Sequence, residues 1–82
     1  MMAVTVRLFA RARDLAGADF VAVELHRGTT VADLRQALAE RVPSLQPLLS
    51  RCAVAINEEF ADDDLPIPSD AEVALLPPVS GG

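Results

Sequence analysis

One segment of this chain has the apolar spacing of a long α-helix, and the segments around it alternate as strands do. Its apolar side chains recur at i, i+3, i+7 and i+11 and so share one side of a helix: Val31, Leu34, Leu38 and Val42. Thr30 is a natural N-cap, with Asp33 as a weaker form of the capping-box partner, and Pro43 ends the helix. A single amphipathic helix must bury this stripe, and the rest of the chain offers mainly strands to cover it.

The remaining segments predict a sheet. Alternating or continuous apolar side chains predict strands at residues 3–10, 20–25, 52–56 and 71–78, with a short strand around Phe60. Residues 11–19 are predicted to be a loop, with Gly17 and Asp19 as turn signals and Leu15 fastening it to the core; residues 44–51 are predicted to make a short helical turn. The order β-β-α-β-(β)-β predicts an α+β fold, in which one main helix covers one face of a mixed sheet.

Length and charge limit the function classes. The 82 residues make one domain, and 51% apolar content suits a small folded core. We expect a cytoplasmic protein, because the first residues do not read as a signal peptide and no apolar run is long enough to span a bilayer. A net charge of −5 argues against binding to nucleic acid or to anionic membranes.

The side chains offer no evident catalytic or metal site. Cys52 falls in an apolar strand and is interpreted as a buried, inert thiol. His26 stands alone, and residues 62–64, three adjacent aspartates, lack the spacing of a calcium loop, so both are interpreted as solvated turn residues. The distinctive chemical group that remains is the C-terminal carboxylate.

The end of the chain, "ALLPPVSGG", has the build of a segment that enters another protein. Pro77 and Pro78 cannot continue a strand, so they lead the chain away from the sheet in an extended form. Val79 and Ser80 are small, while Gly81 and Gly82 have no Cβ and suit a narrow channel. The chain is therefore divided into a folded domain, residues 1–78, and a flexible tail, residues 79–82.

Two blocks resemble a known family. "FARARDLAG" at residues 9–17, "AINEEFADDDLPIPSDAEVALLPPVSGG" at residues 55–82 and the helix between them are similar to the small subunit of molybdopterin synthase, a MoaD-type sulfur carrier. The resemblance spans essentially the whole chain, with "PPVSGG" in register at its end. It implies a ubiquitin-like β-grasp fold, a mixed sheet packed on one main helix.

The resemblance also implies a mechanism and a set of partners. An E1-like adenylyltransferase would use ATP to adenylate Gly82, and a sulfur-relay enzyme would convert the adenylate into a thiocarboxylate. The tail, Pro77 to Gly81, would then thread into the large synthase subunit, whose residues catalyse sulfur transfer to a cyclic pyranopterin precursor to build the dithiolene. The chain itself would be a non-catalytic, sulfur-donating subunit with no bound cofactor or metal, in a heterotetramer of two small and two large subunits.

The family's partner surface is transferred residue by residue. Phe9 matches the aromatic residue of the first block, and Phe60 matches an apolar position after the hairpin turn. Leu76 occupies a position where the family often has an aromatic residue, which weakens that contact. Together they are expected to form an exposed apolar patch on the sheet face opposite the helix. Arg13 matches a family arginine that would pair with the partner.

Three other functions remain open. The same tail suits a sulfur carrier for thiamine, cysteine or tRNA thiolation, and it suits a ubiquitin-like modifier whose Gly82 is joined to lysines of other proteins. A structural module with an incidental Gly-Gly end is the least favoured, because a single motif is weak but two motifs in register are not.

Overall fold

A computed structural model of the chain, describing residues 1–78, consists of a five-stranded sheet with helices packed on one face. In chain order the elements are β1 Met2–Leu8, α1 Ala10–Ala16, β2 Phe20–Leu25, α2 Val31–Arg41, a 3-10 turn Pro43–Leu45, α3 Gln46–Leu49, β3 Ala53–Ile56, β4 Glu59–Ala61 and β5 Val73–Leu76. No helix in this part of the chain is long and apolar enough to cross a membrane.

The last strand lies in the middle of the sheet. The strand order is β2-β1-β5-β3-β4, in which β1 and β5 run parallel and the other neighbours run antiparallel. The predicted α+β architecture with a mixed sheet is therefore confirmed. Because β5 is the middle strand, Pro77 and Pro78 follow it at the middle of the sheet, at the end where the strands β1 and β5 finish.

The core lies between the sheet and α2. In β1 every second side chain is buried, starting with Met2, and the intervening ones are exposed. The predicted helical stripe is buried as expected at Val31, Leu34 and Leu38, while Val42 is the helix C-cap and is half-buried. The inner face of the sheet and the stripe of α2 thus form one apolar cluster.

The start of α2 is held by its own capping box and by a neighbouring loop. The Thr30 side chain accepts the Asp33 amide hydrogen, and the Asp33 carboxylate accepts the Thr30 amide hydrogen, at 3.4 and 3.3 Å. The next two amide groups, of Val31 and Ala32, donate to the carbonyl oxygens of Leu65 and Asp63 at 3.1 and 2.9 Å. These bonds satisfy donors that a helix leaves free at its N-terminus.

The predicted loop at residues 11–19 is wrong, because its first part is the helix α1. Its residues, mostly alanine and arginine, favour helix, and Ala12 is fully buried in the core. Gly17, predicted as a turn signal, ends this helix: it adopts φ +70° and donates its N–H to the Arg13 carbonyl oxygen at 2.9 Å, a left-handed helix cap. Leu15 is half-buried against the core, as expected.

Three strands are shorter than predicted: β3 begins at Ala53 rather than at residue 52, and the ends of the other two concern the site. β5 comprises Val73–Leu76 rather than residues 71–78, and it ends before Pro77, which has no N–H for the strand ladder. β1 ends at Leu8, and Phe9 becomes the N-cap of α1. These two strand ends matter for the site. Because β1 and β5 run parallel, Phe9 after β1 and Pro77 after β5 lie at the same end of the sheet.

Arg35 joins three segments that surround α2. Its Nη1 donates to the carbonyl oxygen of Cys52 at 2.7 Å and also to that of Leu49, and its Nε contacts the Asp63 carboxylate at 2.9 Å. The Arg35 side chain is only 20% exposed. The aspartates of residues 62–64 are exposed, as the turn prediction implied, but Asp63 is paired rather than merely solvated.

Replacing Arg35 should destabilise the fold. Arg35→Met keeps the aliphatic stem but removes both hydrogen bonds to the Leu49 and Cys52 carbonyl oxygens and the contact with Asp63, so we expect the free energy of unfolding to fall by about 2–3 kcal/mol. Urea denaturation followed by circular dichroism measures this. The control is Arg41→Met, an exposed position in the last turn of the same helix, with an expected change within about 0.5 kcal/mol. Equal losses in both variants would contradict the role given to Arg35.

Candidate functional site

The tail begins at the end of the central strand. Pro77 is half-buried and Pro78 is exposed, and neither belongs to β5. The predicted tail residues Val79, Ser80, Gly81 and Gly82 lie outside the described residues. What the structure does give is the surface from which the tail departs.

A row of side chains crosses the outer face of the sheet, opposite α2. The strand registers pair Phe20 with Arg7, Arg7 with Ala74, Ala74 with Ala55, and Ala55 with Phe60. Partners in register point to the same side of a sheet, so these five residues lie side by side on one face. Phe20 and Phe60 stand at its two margins, 52% and 79% exposed, with Arg7 and two alanines between them.

Phe9 and Leu76 lie where the tail leaves the sheet. Leu8 is the register partner of Leu75 in the parallel pair β1–β5, and Phe9 and Leu76 are the next residues along. Phe9 is 39% exposed, and Leu76 is half-buried beside Ala53. Two of the three predicted apolar contact residues are therefore adjacent to the start of the tail.

Arg7 and Phe20 are part of this surface and were not among the predicted site residues. The Arg7 guanidinium lies 5.3 Å from the centroid of the Phe20 ring and 6.0 Å from that of the Phe9 ring. Both distances fall in the range of cation–π attraction. One sequence signal points to Phe20: it is an aromatic residue in the alternating set Phe20, Ala22 and Glu24, on the predicted polar side of β2. Phe9 is likewise an aromatic residue on the polar side of the first predicted strand.

Phe60 is placed by a tight turn at the far margin. Asn57 and Glu58 have φ of +51° and +70°, which gives the two-residue turn that joins antiparallel strands β3 and β4. Asn57 also binds Glu72: its amide N–H donates to the Glu72 carbonyl oxygen at 2.8 Å, and its side-chain oxygen accepts the Glu72 N–H at 2.9 Å. Four strand spacings of about 4.8 Å separate Phe60 from Phe20 by about 19 Å.

The outer face is therefore a shallow trough rather than a continuous apolar patch. Aromatic side chains stand at its margins, and small side chains form its floor. Its lining residues are Thr5, Arg7, Phe9, Phe20, Ala55, Glu58 and the segment 71–74. A floor of alanines lets a partner's backbone or side chains approach the sheet closely, while the aromatic margins offer large apolar contacts.

Arg13, the predicted polar contact, lies near this surface but is only loosely paired. Its Nε is 3.8 Å from the Asp19 carboxylate, and both side chains are more than half exposed. An ion pair this long and exposed contributes little to stability, so the guanidinium is available to a partner. Among residues 1–78 no three histidine, cysteine or acidic side chains are grouped so that they hold a metal ion.

Cys52 is buried beneath the sheet, as interpreted from the sequence. Burial raises the pKa of the Cys52 thiol, and the nearby positive charge of Arg35 opposes that shift only in part. A thiol that stays protonated and enclosed is a poor nucleophile. The side chain packs as a small apolar residue in the core cluster.

The chain is similar to one known protein family along most of its length. The ThiS family model matches residues 6–82. The chain is 35% identical to the molybdopterin synthase sulfur carrier subunit of Arabidopsis thaliana, covering 96% of this chain and 82% of that one.

Two solved structures show the same fold. The crystal structure of SAMP1 from Haloferax volcanii is similar with a TM-score of 0.86 and 32% identity, over 98% of this chain and 99% of that one. A complex of subunits 1 and 2 of the molybdopterin-converting factor from Helicobacter pylori contains a chain similar with a TM-score of 0.71 and 29% identity, over 99% of this chain and 100% of that one. The predicted ubiquitin-like β-grasp fold is confirmed. This chain therefore belongs to the ThiS family.

Proposed function

We propose that this chain is the sulfur carrier subunit of a molybdopterin synthase, with Gly82 as the residue that holds the sulfur. The structural observation behind the proposal is that the central strand β5 ends at Leu76, directly before Pro77 and Pro78, and next to the exposed Phe9. The similarity to sulfur carrier subunits along the whole chain supports it. In this scheme the fold presents the terminus, and the chemistry takes place on the terminal carboxyl group.

The proposed chemistry follows from the reactivity of a carboxylate. A carboxylate is a poor acyl donor, so an E1-like adenylyltransferase would first join the Gly82 carboxylate to AMP from ATP, with release of pyrophosphate. A sulfur-relay enzyme would then supply sulfur at the sulfide level, which bonds to the acyl carbon of Gly82 as the bond to AMP breaks; AMP leaves and a thiocarboxylate remains. Its sulfur is nucleophilic, and once the sulfur is bound to the pyranopterin precursor, water can cleave the acyl–sulfur bond and restore the carboxylate.

The outer-face trough is the proposed docking surface for the large subunit. Phe60 at one margin and Phe9 near the tail give separated apolar anchors, and Arg7 and Arg13 add positive charge between and beside them. Anchoring on both sides of the departing tail would aim residues 79–82 into the partner. The Helicobacter pylori complex of subunits 1 and 2 supports a partner of this kind, and we propose two small and two large subunits per assembly.

The thiocarboxylate can be detected directly by mass. The protein purified from its source organism should include a species heavier by about 16 Da, the difference between sulfur and oxygen, located in the C-terminal peptide. An unmodified terminus that also fails to form an adenylate with ATP and the activating enzyme would contradict the proposal. Mixing the thiocarboxylate form with the large subunit and the pyranopterin precursor then tests the pathway, since a carrier for another pathway would form no dithiolene.

Removing the single thiol should leave sulfur carriage intact. We expect Cys52→Ala to form the thiocarboxylate at a rate within about twofold of the wild type, because the thiol is buried and burial raises its pKa, which makes it a poor nucleophile. The intact mass after incubation with the activating and relay enzymes measures this. Loss of the sulfur-bearing species from a variant that still folds would assign the sulfur to Cys52 instead.

A second candidate function is protein modification. The similarity to SAMP1, whose structure is also described as that of a small archaeal modifier protein, favours it. The adenylate would then be captured by a lysine amine of a target protein rather than by sulfur. The chain contains seven arginines and no lysine, so its own side chains offer no amine for such a bond. Lysine-linked conjugates in the source organism that disappear with Gly82 removed would support this function.

A further inference from the structure

The two edges of the sheet differ in what they offer to another chain. One edge is β4, with only three residues, Glu59–Ala61. The other edge is β2, with six residues, Phe20–Leu25, all in regular register with β1. Proteins often keep an edge strand short, which prevents another chain from pairing with it. β2 is not short and has no such protection.

The backbone groups on the free side of β2 can be assigned. The Leu8 N–H donates to the Asp19 carbonyl oxygen at 2.8 Å, just before β2 begins. Antiparallel ladders alternate, so Val21, Val23 and Leu25 continue the bonds to β1. The N–H and C=O groups of the intervening residues point to the free edge: Phe20, Ala22 and Glu24. Within residues 1–78 none of these three takes part in any other backbone hydrogen bond.

Nothing in β2 itself obstructs this edge. The strand contains no proline and no lysine, and its unbroken register leaves no bulge. A groove runs between the edge and α2. Its lining residues are Ala3, the segment 22–24, Ala37, Glu40 and Arg41. Ala22 and Ala37 are small, so the groove has room for another backbone.

We propose that the free edge of β2 binds an extended segment of a partner protein, which pairs with Phe20, Ala22 and Glu24 as a sixth strand. Only an extended chain matches such a row of alternating donors and acceptors. Its side chains on the inner side lie over Ala37 and are apolar, continuing the buried face of β2. Those on the outer side lie beside Glu24 and are basic.

The charge of the groove favours a basic segment of another protein over a second copy of the chain. Glu24 and Glu40 both line the groove, against the single cation Arg41, and the whole chain has a net charge of −5. Pairing two β2 edges would bring these acidic surfaces together. A basic segment from another protein is attracted to them. This surface meets the trough only at Phe20, whose side chain lies at the trough margin while its backbone N–H and C=O point to the free edge.

The probe is an acetylated and amidated hexapeptide of alternating arginine and valine. On titration into the ¹⁵N-labelled protein, we expect the largest amide shift changes at Phe20, Ala22 and Glu24, with smaller ones at Ala37 and Glu40. Two further peptides are N-methylated at one or the other set of alternate amides. One of them should bind at least about tenfold more weakly, because its donors to β2 are lost, and the other should bind normally.

Two variants and a matched control complete the test. Ala22→Pro removes an N–H that points to the free edge and spares the ladder with β1, so it should abolish binding. Glu24→Lys should weaken binding at least about tenfold and needs no backbone change, whereas Glu59→Lys on the other edge should have little effect.

Three results would overturn the proposal. The first is equal binding by both methylated peptides, and the second is shift changes confined to Phe9 and Phe60. The third is a concentration-dependent dimer, detected by sedimentation, that Ala22→Pro dissolves; it would assign the edge to a second copy.

Discussion

Gly81→Ala is expected to abolish sulfur transfer while leaving the folded domain unchanged. The proposed tail must pass through a channel in its partners that is too narrow for a side chain, and glycine is the one residue without a Cβ. The substitution lies beyond residues 1–78, so the core, the helices and the strand ladder keep all their contacts. We expect dithiolene formation in an assay with the large subunit to fall by at least about a hundredfold, at an unchanged melting temperature.

A matched variant and an extended chain define this prediction. Ser80→Ala exchanges one small side chain for another and should retain most of the activity. A variant with one residue added after Gly82 should be inactive in sulfur transfer, because its terminal carboxylate would no longer lie at the reacting atoms. Measuring the thiocarboxylate by mass separates a defect in activation from a defect in transfer. Normal turnover by Gly81→Ala would show that the tail is not threaded through a narrow channel.

Phe60→Asp is expected to have the second largest effect, on binding to the large subunit. Phe60 is 79% exposed at the margin of the trough, so the free chain gains little from its burial and should unfold within about 0.5 kcal/mol of the wild type. At an interface the same ring is a large apolar anchor. Its loss, with a charge put in its place, should weaken binding at least about thirtyfold, measured by isothermal titration calorimetry.

Leu65→Asp is the matched control for this substitution. Leu65 is also an exposed large apolar residue, 43% exposed, but it lies in the loop whose carbonyl oxygen caps α2. We expect its affinity for the large subunit to stay within about twofold of the wild type. An equal loss of affinity in both variants would mean that the added negative charge, and not the loss of a contact at the trough, weakens the complex. Full binding by Phe60→Asp would remove Phe60 from the docking surface.

Local patterns were enough to predict α2 and the strands. The stripe from Val31 to Val42, the Thr30 cap and the Pro43 stop act within a few residues of one another, and the structure confirms each of them. The same reasoning missed α1. Its seven residues are too few to show a helical repeat, and although alanine and arginine favour helix, a helix this short is held mainly by the packing of Ala12 in the core.

The proposed docking surface depends on pairing between strands that are distant in the sequence. The family resemblance points to Phe9, Phe60 and Leu76. Phe9 lines the trough with Arg7 and Phe20, Phe60 is in register with the lining residue Ala55, and Leu76 is in register with Ala53. Phe20 was visible only as an aromatic residue on a polar side. It joins Arg7 because β1 and β2 pair in one particular register, and a register is not encoded in either strand taken alone.

The sequence by itself determined the class of fold, the main helix, the inert thiol and the unusual Pro-Pro to Gly-Gly end. Each depends on residue type and short-range spacing, which the chain displays directly. The tertiary structure alone decided that β5 occupies the centre of the sheet, that the aromatic residues stand at the two margins of a trough, and that β2 has a free edge. The physical reason is that these features arise from contacts between residues far apart in the chain, set by which strands pair and how the core closes over α2.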